Sequence, residues 1–128
     1  MKDNYDIKYN IDKSGSKQFL DYILETMVGY REPIKGIILS SEVNPIGTMA
    51  NNLKGVLHKG APKISVSKGV ISLKTIMPLG ISGVLNSIQL TSGDDETGQV
   101  VEVLNIPRID KLDNVRIEVT VLLESYSA

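Results

Sequence analysis

The chain contains no cysteine and no tryptophan, and it has one phenylalanine and one histidine. Without cysteine there is no disulfide framework, iron–sulfur cluster, thiolate zinc site or cysteine nucleophile. With so few aromatics the core must be aliphatic, built from Ile, Leu, Val and Met. Charge of one sign is also missing: 14 basic residues face 15 acidic ones, for a net charge of -1. Phosphate-driven nucleic-acid binding needs clustered Lys and Arg, and here they are scattered, so no direct nucleic-acid binding is expected. No apolar run approaches the roughly 18 residues that cross a bilayer as a helix, so no membrane partner is expected. The opening Met1 to Asp6 is polar, and no signal peptide is expected.

What remains is a chain of 128 residues with 41% hydrophobic and 23% charged side chains. That length fits one domain with a core of its own. Tyr5 to Asp12 alternates, with Tyr5, Ile7, Tyr9 and Ile11 on one face and Asp6, Lys8, Asn10 and Asp12 on the other. Period two predicts an extended strand. Residues 1–13 are therefore read as an N-terminal arm or edge strand, and residues 14–128 as a single helix-plus-β-sandwich domain. As an arm, the segment would add a strand to a neighbour, which makes Tyr5, Ile7, Tyr9 and Ile11 the candidate partner contacts.

One helix is predicted over Phe19–Val28. Ser14 or Ser16 caps it, Phe19, Leu20, Ile23, Leu24, Met27 and Val28 recur at helical spacing, and Gly29 and Pro33 stop it. Beyond Pro33 the pattern turns to β. Ile34–Leu39 reads as a buried strand, Ser40–Gly47 as a loop, and Thr48–Leu57 as coil, either a short helical turn or an irregular crossing. Lys63–Ser67 and Val70–Ile76 flank Lys68-Gly69, a hairpin signature. Val84–Leu90 is a further strand, Thr91–Gly98 an exposed tip, and Gln99–Ile106 a strand that Pro107 breaks. Val115–Leu123 alternates most clearly. The expected fold is mainly β with one N-terminal helix, an antiparallel β-sandwich or open barrel.

Few groups suggest chemistry. His58 lies in Leu57-His58-Lys59-Gly60 with no neighbour that marks it as a base or ligand, and it reads as a surface or partly packed histidine. Asp94-Asp95-Glu96 is the one acidic cluster; it lacks the calcium-loop spacing and reads as a solvated turn. Gly80-Ile81-Ser82-Gly83 lacks the spacing of a phosphate cradle. No catalytic, metal or cofactor residue is assigned.

In its order of elements, the chain resembles a domain that recurs in bacteriophage virion and tail-fibre proteins. Phe19–Val28, Ile34–Ser41, Asn44–Leu53, Ile64–Met77, Asn86–Gly98, Val103–Pro107 and Val115–Glu124 carry the likeness. Asn86-Ser87-Ile88-Gln89-Leu90 looks like that domain's central strand and Leu104-Asn105-Ile106-Pro107 like its exit. Its frequent Gly-Thr-Gly is here Ser40-Ser41-Glu42. The resemblance implies a non-enzymatic structural subunit of a phage or phage-like particle, in capsid, neck, tail or baseplate. Its partners would be itself and other virion subunits, its location the virion, and it needs no cofactor. The alternative is a β-sandwich ligand-binding module, for example for carbohydrate. An enzyme of unrecognised type would need a carboxylate or Ser/Lys site.

Overall fold

The computed structural model describes residues 3–14, 21, 23, 25, 26, 28, 29, 33–67, 70–93 and 97–124. Within these the chain forms eight strands: β1 (Tyr5–Ser14), β2 (Ile34–Ser40), β3 (Val56–Gly60), β4 (Lys63–Ser67), β5 (Val70–Met77), β6 (Gly83–Ser92), β7 (Gln99–Lys111) and β8 (Val115–Glu124). They make two four-stranded sheets, in the orders β1-β8-β5-β4 and β3-β2-β6-β7.

The two sheets bury one aliphatic core. Along β5, Ile71, Leu73 and Met77 are buried and alternate with half-buried residues. Along β8, Val115, Ile117, Val119 and Val121 do the same, as the period-two pattern predicts. Facing them are Ile37 and Leu39 of β2, Leu85, Ile88 and Leu90 of β6, and Leu104, Ile106 and Ile109 of β7. The expected hairpin is present, with Ser67 opposite Val70 and Lys63 opposite Lys74.

Three expectations are corrected. First, the chain leads with a strand and not a helix, and no described helix reaches seven residues. Ser14, an expected cap, is instead the last residue of β1 and pairs with Glu124. Among the described residues of the expected helix, Asp21, Ile23, Glu25 and Thr26 have helical backbone, and Phe19, Leu20, Leu24 and Met27 lie outside the described residues. Of the expected apolar stripe, Ile23 is buried but Val28 is 65% exposed. Ile23 thus joins the core of the sheets, and the helical residues are followed by a turn at Val28 and Gly29. Gly29, at φ +83°, closes that turn by donating to the Thr26 carbonyl.

Second, the sandwich is not wholly antiparallel: β1 runs parallel to β8 in an unbroken register from Tyr5 opposite Val115 to Ser14 opposite Glu124. Strands from opposite ends of the chain need no tight turn, so nothing local imposes the antiparallel sense. Third, Pro107 does not end its strand. Strand β7 continues to Lys111 through a bulge between Asn105 opposite Ser87 and Ile109 opposite Leu85. It is an edge strand, where the missing N–H of proline is tolerated. The region read as coil contains a 3-10 turn at Ala50–Asn52 and then β3.

Lys111 closes one end of the core. It is 2% exposed, and its ammonium donates to the carbonyls of Ile81 (2.9 Å) and Leu112 (2.7 Å). Desolvation pushes its pKa below the ordinary 10.5, opposed by the nearby Asp113 carboxylate. A lowered lysine pKa means the unfolded chain holds the proton more tightly. Stability therefore rises with pH between the lowered pKa and 10.5. Lys111→Ala should cost about 2–3 kcal/mol through lost stem packing and two lost bonds. Lys111→Met should cost less, because it refills the stem volume, and should flatten that alkaline slope. Denaturation midpoints between pH 7 and 10 check both; an unchanged slope in the Met variant would sink the assignment.

Candidate functional site

Strands normally show solvent one of their two faces, yet β2 and β6 are buried on both. Ile38 and Ser40, which alternate with the core residues Ile37 and Leu39, are fully buried, as are Ser87 and Gln89 opposite them. The cover is the loop of residues 41–55, whose ends meet where Ser41 N–H donates to the Gly55 carbonyl (2.8 Å). Compact loops of this kind with joined ends recur at functional surfaces.

The loop is held at two places. Asn44, 3% exposed, grips the Lys54 peptide from both sides: its Nδ2 donates to the Lys54 carbonyl (3.0 Å) and its Oδ1 accepts from the Lys54 N–H (2.9 Å). The same Nδ2 donates to Gln89 Oε1 (3.0 Å). Further along, Gly47 N–H donates to the Val100 carbonyl, Val100 N–H to the Thr48 carbonyl, and Ala50 N–H to the Gly98 carbonyl, each at 2.9 Å.

Gln89 is the hub. Besides Asn44, its Oε1 accepts from Ser40 Oγ (2.9 Å), and its Nε2 donates to Ser87 Oγ (2.6 Å). The single Ser40 proton also lies within reach of the Glu42 carbonyl (2.6 Å). Among the described residues no buried side-chain polar atom lacks a partner. A fully satisfied network in a water-poor setting fixes one arrangement of the loop.

That support presents apolar side chains to solvent. On the loop Val43 is 56% and Ile46 65% exposed, with Met49 and the neighbouring Val56 also exposed. Exposed apolar groups gathered on one pinned loop suit contact with another surface.

The candidate contacts of the N-terminal segment share the core-facing side of β1, opposite Val115, Ile117, Val119 and Val121. Tyr9 and Ile11 pack against the chain's own core, while Tyr5 is 55% and Ile7 39% exposed. The other face is charged: Lys74 lies 2.6 Å from Glu118, Lys8 3.7 Å from Glu118, and Arg116 3.7 Å from Asp6. The hydrogen bond from Lys74, then its charge and those of Lys8 and Arg116, hold the Glu118 carboxyl below 4.5 against desolvation. What this contact contributes is present above 4.5 and is lost as pH falls through the lowered value.

His58 lines an open cleft of about 430 Å³ at the sandwich edge, with Gly60, Lys63, Lys74 and Thr75. Burial holds its pKa below 6.5, so the imidazole is neutral at pH 7. Among the described residues no tyrosine lines this cleft. The residues Asp94, Asp95 and Glu96 lie outside the described residues.

Sequence reasoning missed the Gln89 network. Its signal is Ser40, Ser87 and Gln89 set into otherwise apolar strands, which alternation alone assigns to solvent. Comparison with family models, with curated proteins and with solved structures finds no match to this chain.

Proposed function

We propose that this chain is a non-enzymatic structural subunit of a phage or phage-like particle, acting by self-association and by contacts to neighbouring subunits. The observation that carries this reading is the pinned loop. Exposed Val43, Ile46 and Met49 ride on a backbone fixed by Asn44 and Gln89, so docking them costs little ordering entropy. The sequence-pattern resemblance to virion and tail-fibre domains, apart from the expected helix and the break at Pro107, supports the particle context. The partners are further copies of this chain and other particle subunits, and its place is the virion.

The loop supplies the test. Ile46→Asp changes a side chain that is 65% exposed and should leave the melting temperature unchanged. It should weaken association by about tenfold or more, read from the concentration dependence of solution mass. Unchanged association in this variant, and in Val43→Asp as well, would remove the loop from the interface.

A further inference from the structure

The edges of the two sheets differ in how they discourage pairing with another chain. Strand β7 is interrupted by bulges and carries Pro107. Strands β3 and β4 have five residues each, and the register of β3 shifts at Ser40. Proline, bulges, shortness and edge charge are the usual protections of an exposed edge. Strand β1 has only the last, and in both signs: it runs ten residues without proline, its register with β8 never slips, and it carries exposed Asp6 and Lys8. Among the described residues nothing pairs with its outer side.

The polarity of that edge follows from one bond. Tyr5 N–H donates to the Asn114 carbonyl at 3.0 Å, so Tyr5, Ile7, Tyr9 and Ile11 spend their peptide groups on β8. Asp6, Lys8 and Asn10 therefore aim their N–H and C=O groups outward, since successive peptides alternate. Only a two-fold axis passing through a residue keeps these groups in register with those of a second β1.

Charge chooses among the centres. An axis through Asp6 or Lys8 sets like charge on itself, and one through Tyr9 sets Asp6 opposite Asp12. An axis through Ile7 sets Asp6 opposite Lys8 twice, Ile7 opposite Ile7, and Tyr5 opposite Tyr9. An axis through Asn10 also matches Lys8 with Asp12, but it leaves Tyr5 outside the ladder and sets Lys13 opposite Ile7. Of the centres that set no like charges together, the Ile7 centre alone covers both exposed apolar residues of the strand. The charges can serve it: Lys8 and Asp6 make only long contacts of 3.7 Å, to Glu118 and Arg116, Glu118 is already met by Lys74 at 2.6 Å, and the Lys8 and Asp6 side chains are 77% and 71% exposed.

We infer that β1 pairs antiparallel with β1 of a second copy of this chain, about a two-fold axis through Ile7, joining two four-stranded sheets into one. This rests on the self-association proposed above and names one of its interfaces. The pairing is isologous, so it closes at two copies and leaves the 41–55 loop of each free for other neighbours.

The lack of native cysteine makes the test direct. Opposed residues at a non-hydrogen-bonded antiparallel site lie about 4.5–5.5 Å apart at Cβ, within easy adjustment of disulfide geometry. Full-length Ile7→Cys should oxidise to a covalent dimer under mild conditions, whereas Tyr5→Cys, more exposed but facing Tyr9, should not. Lys8→Pro removes an outward N–H and no bond to β8, so it should abolish the Ile7→Cys cross-link with the melting temperature retained. An oligomer that survives Lys8→Pro, with Ile7→Cys no quicker to cross-link than Tyr5→Cys, overturns the edge pairing and leaves assembly through other faces standing. A monomeric wild-type chain at every concentration overturns both.

Discussion

Gln89→Leu should lower the unfolding free energy by about 2–4 kcal/mol, since each buried polar group left without a partner costs about 1–3 kcal/mol. Leucine fits the volume of glutamine but returns none of its bonds. Ser87 Oγ loses the Nε2 donor at 2.6 Å, on a face with no solvent exposure. Ser40 escapes, because its proton can turn to the Glu42 carbonyl at 2.6 Å. Asn44 loses the inner of its two acceptors and keeps Lys54. The sum is thus nearer two orphaned groups than three. Denaturant unfolding should show a lower midpoint with an unchanged slope, because the surface exposed on unfolding is the same. Asn44→Ala, by contrast, should release the loop: amide exchange at Lys54 and Val100 should rise more than global stability falls. A Gln89→Leu cost below about 1 kcal/mol would mean that water already serves this face.

Gly36→Ala should be the other severe substitution, costing about 2–3 kcal/mol by overpacking. Gly36 lies on β2 directly opposite Thr91 of β6. A Cβ at Gly36 would run into Thr91 Oγ1, with Lys59 Cε next nearest among side chains at 3.9 Å. The limit is space and not backbone angle, since Gly36 is not among the positive-φ glycines. Thr91 is 2% exposed and has no room to retreat. Adding Thr91→Ala to Gly36→Ala should therefore recover part of the loss, with a coupling of about 1–2 kcal/mol in a double-mutant cycle. Strict additivity would show that strand separation, rather than this contact, takes up the extra carbon.

What was legible in the sequence is what one strand or one turn encodes. The alternation of β5 and β8 and the hairpin between Ser67 and Val70 follow from period two and a two-residue turn. The aliphatic core follows from composition. What was not legible depends on partners far along the chain. Nothing in Tyr5 to Ser14 says that it will lie parallel to β8, because that strand begins at Val115. The spacing of Phe19, Ile23 and Met27 reads as a helix; of these three only Ile23 is among the described residues, where it serves the sheets' core, and Val28 stays exposed. The candidate site fails to show for a related reason. Ser40, Ser87 and Gln89 look like solvent-facing residues until a loop 41–55 is laid across them. That Tyr5 and Ile7 lie on a strand was legible because alternation needs no tertiary knowledge.

On the proposed function this chain works by associating with copies of itself and with neighbours. Light scattering of the purified chain over a concentration series tests it most directly. The expected result is a discrete oligomer, a dimer or an assembly of dimers, that grows with concentration and shrinks in Ile46→Asp. A strict monomer at all concentrations would contradict it.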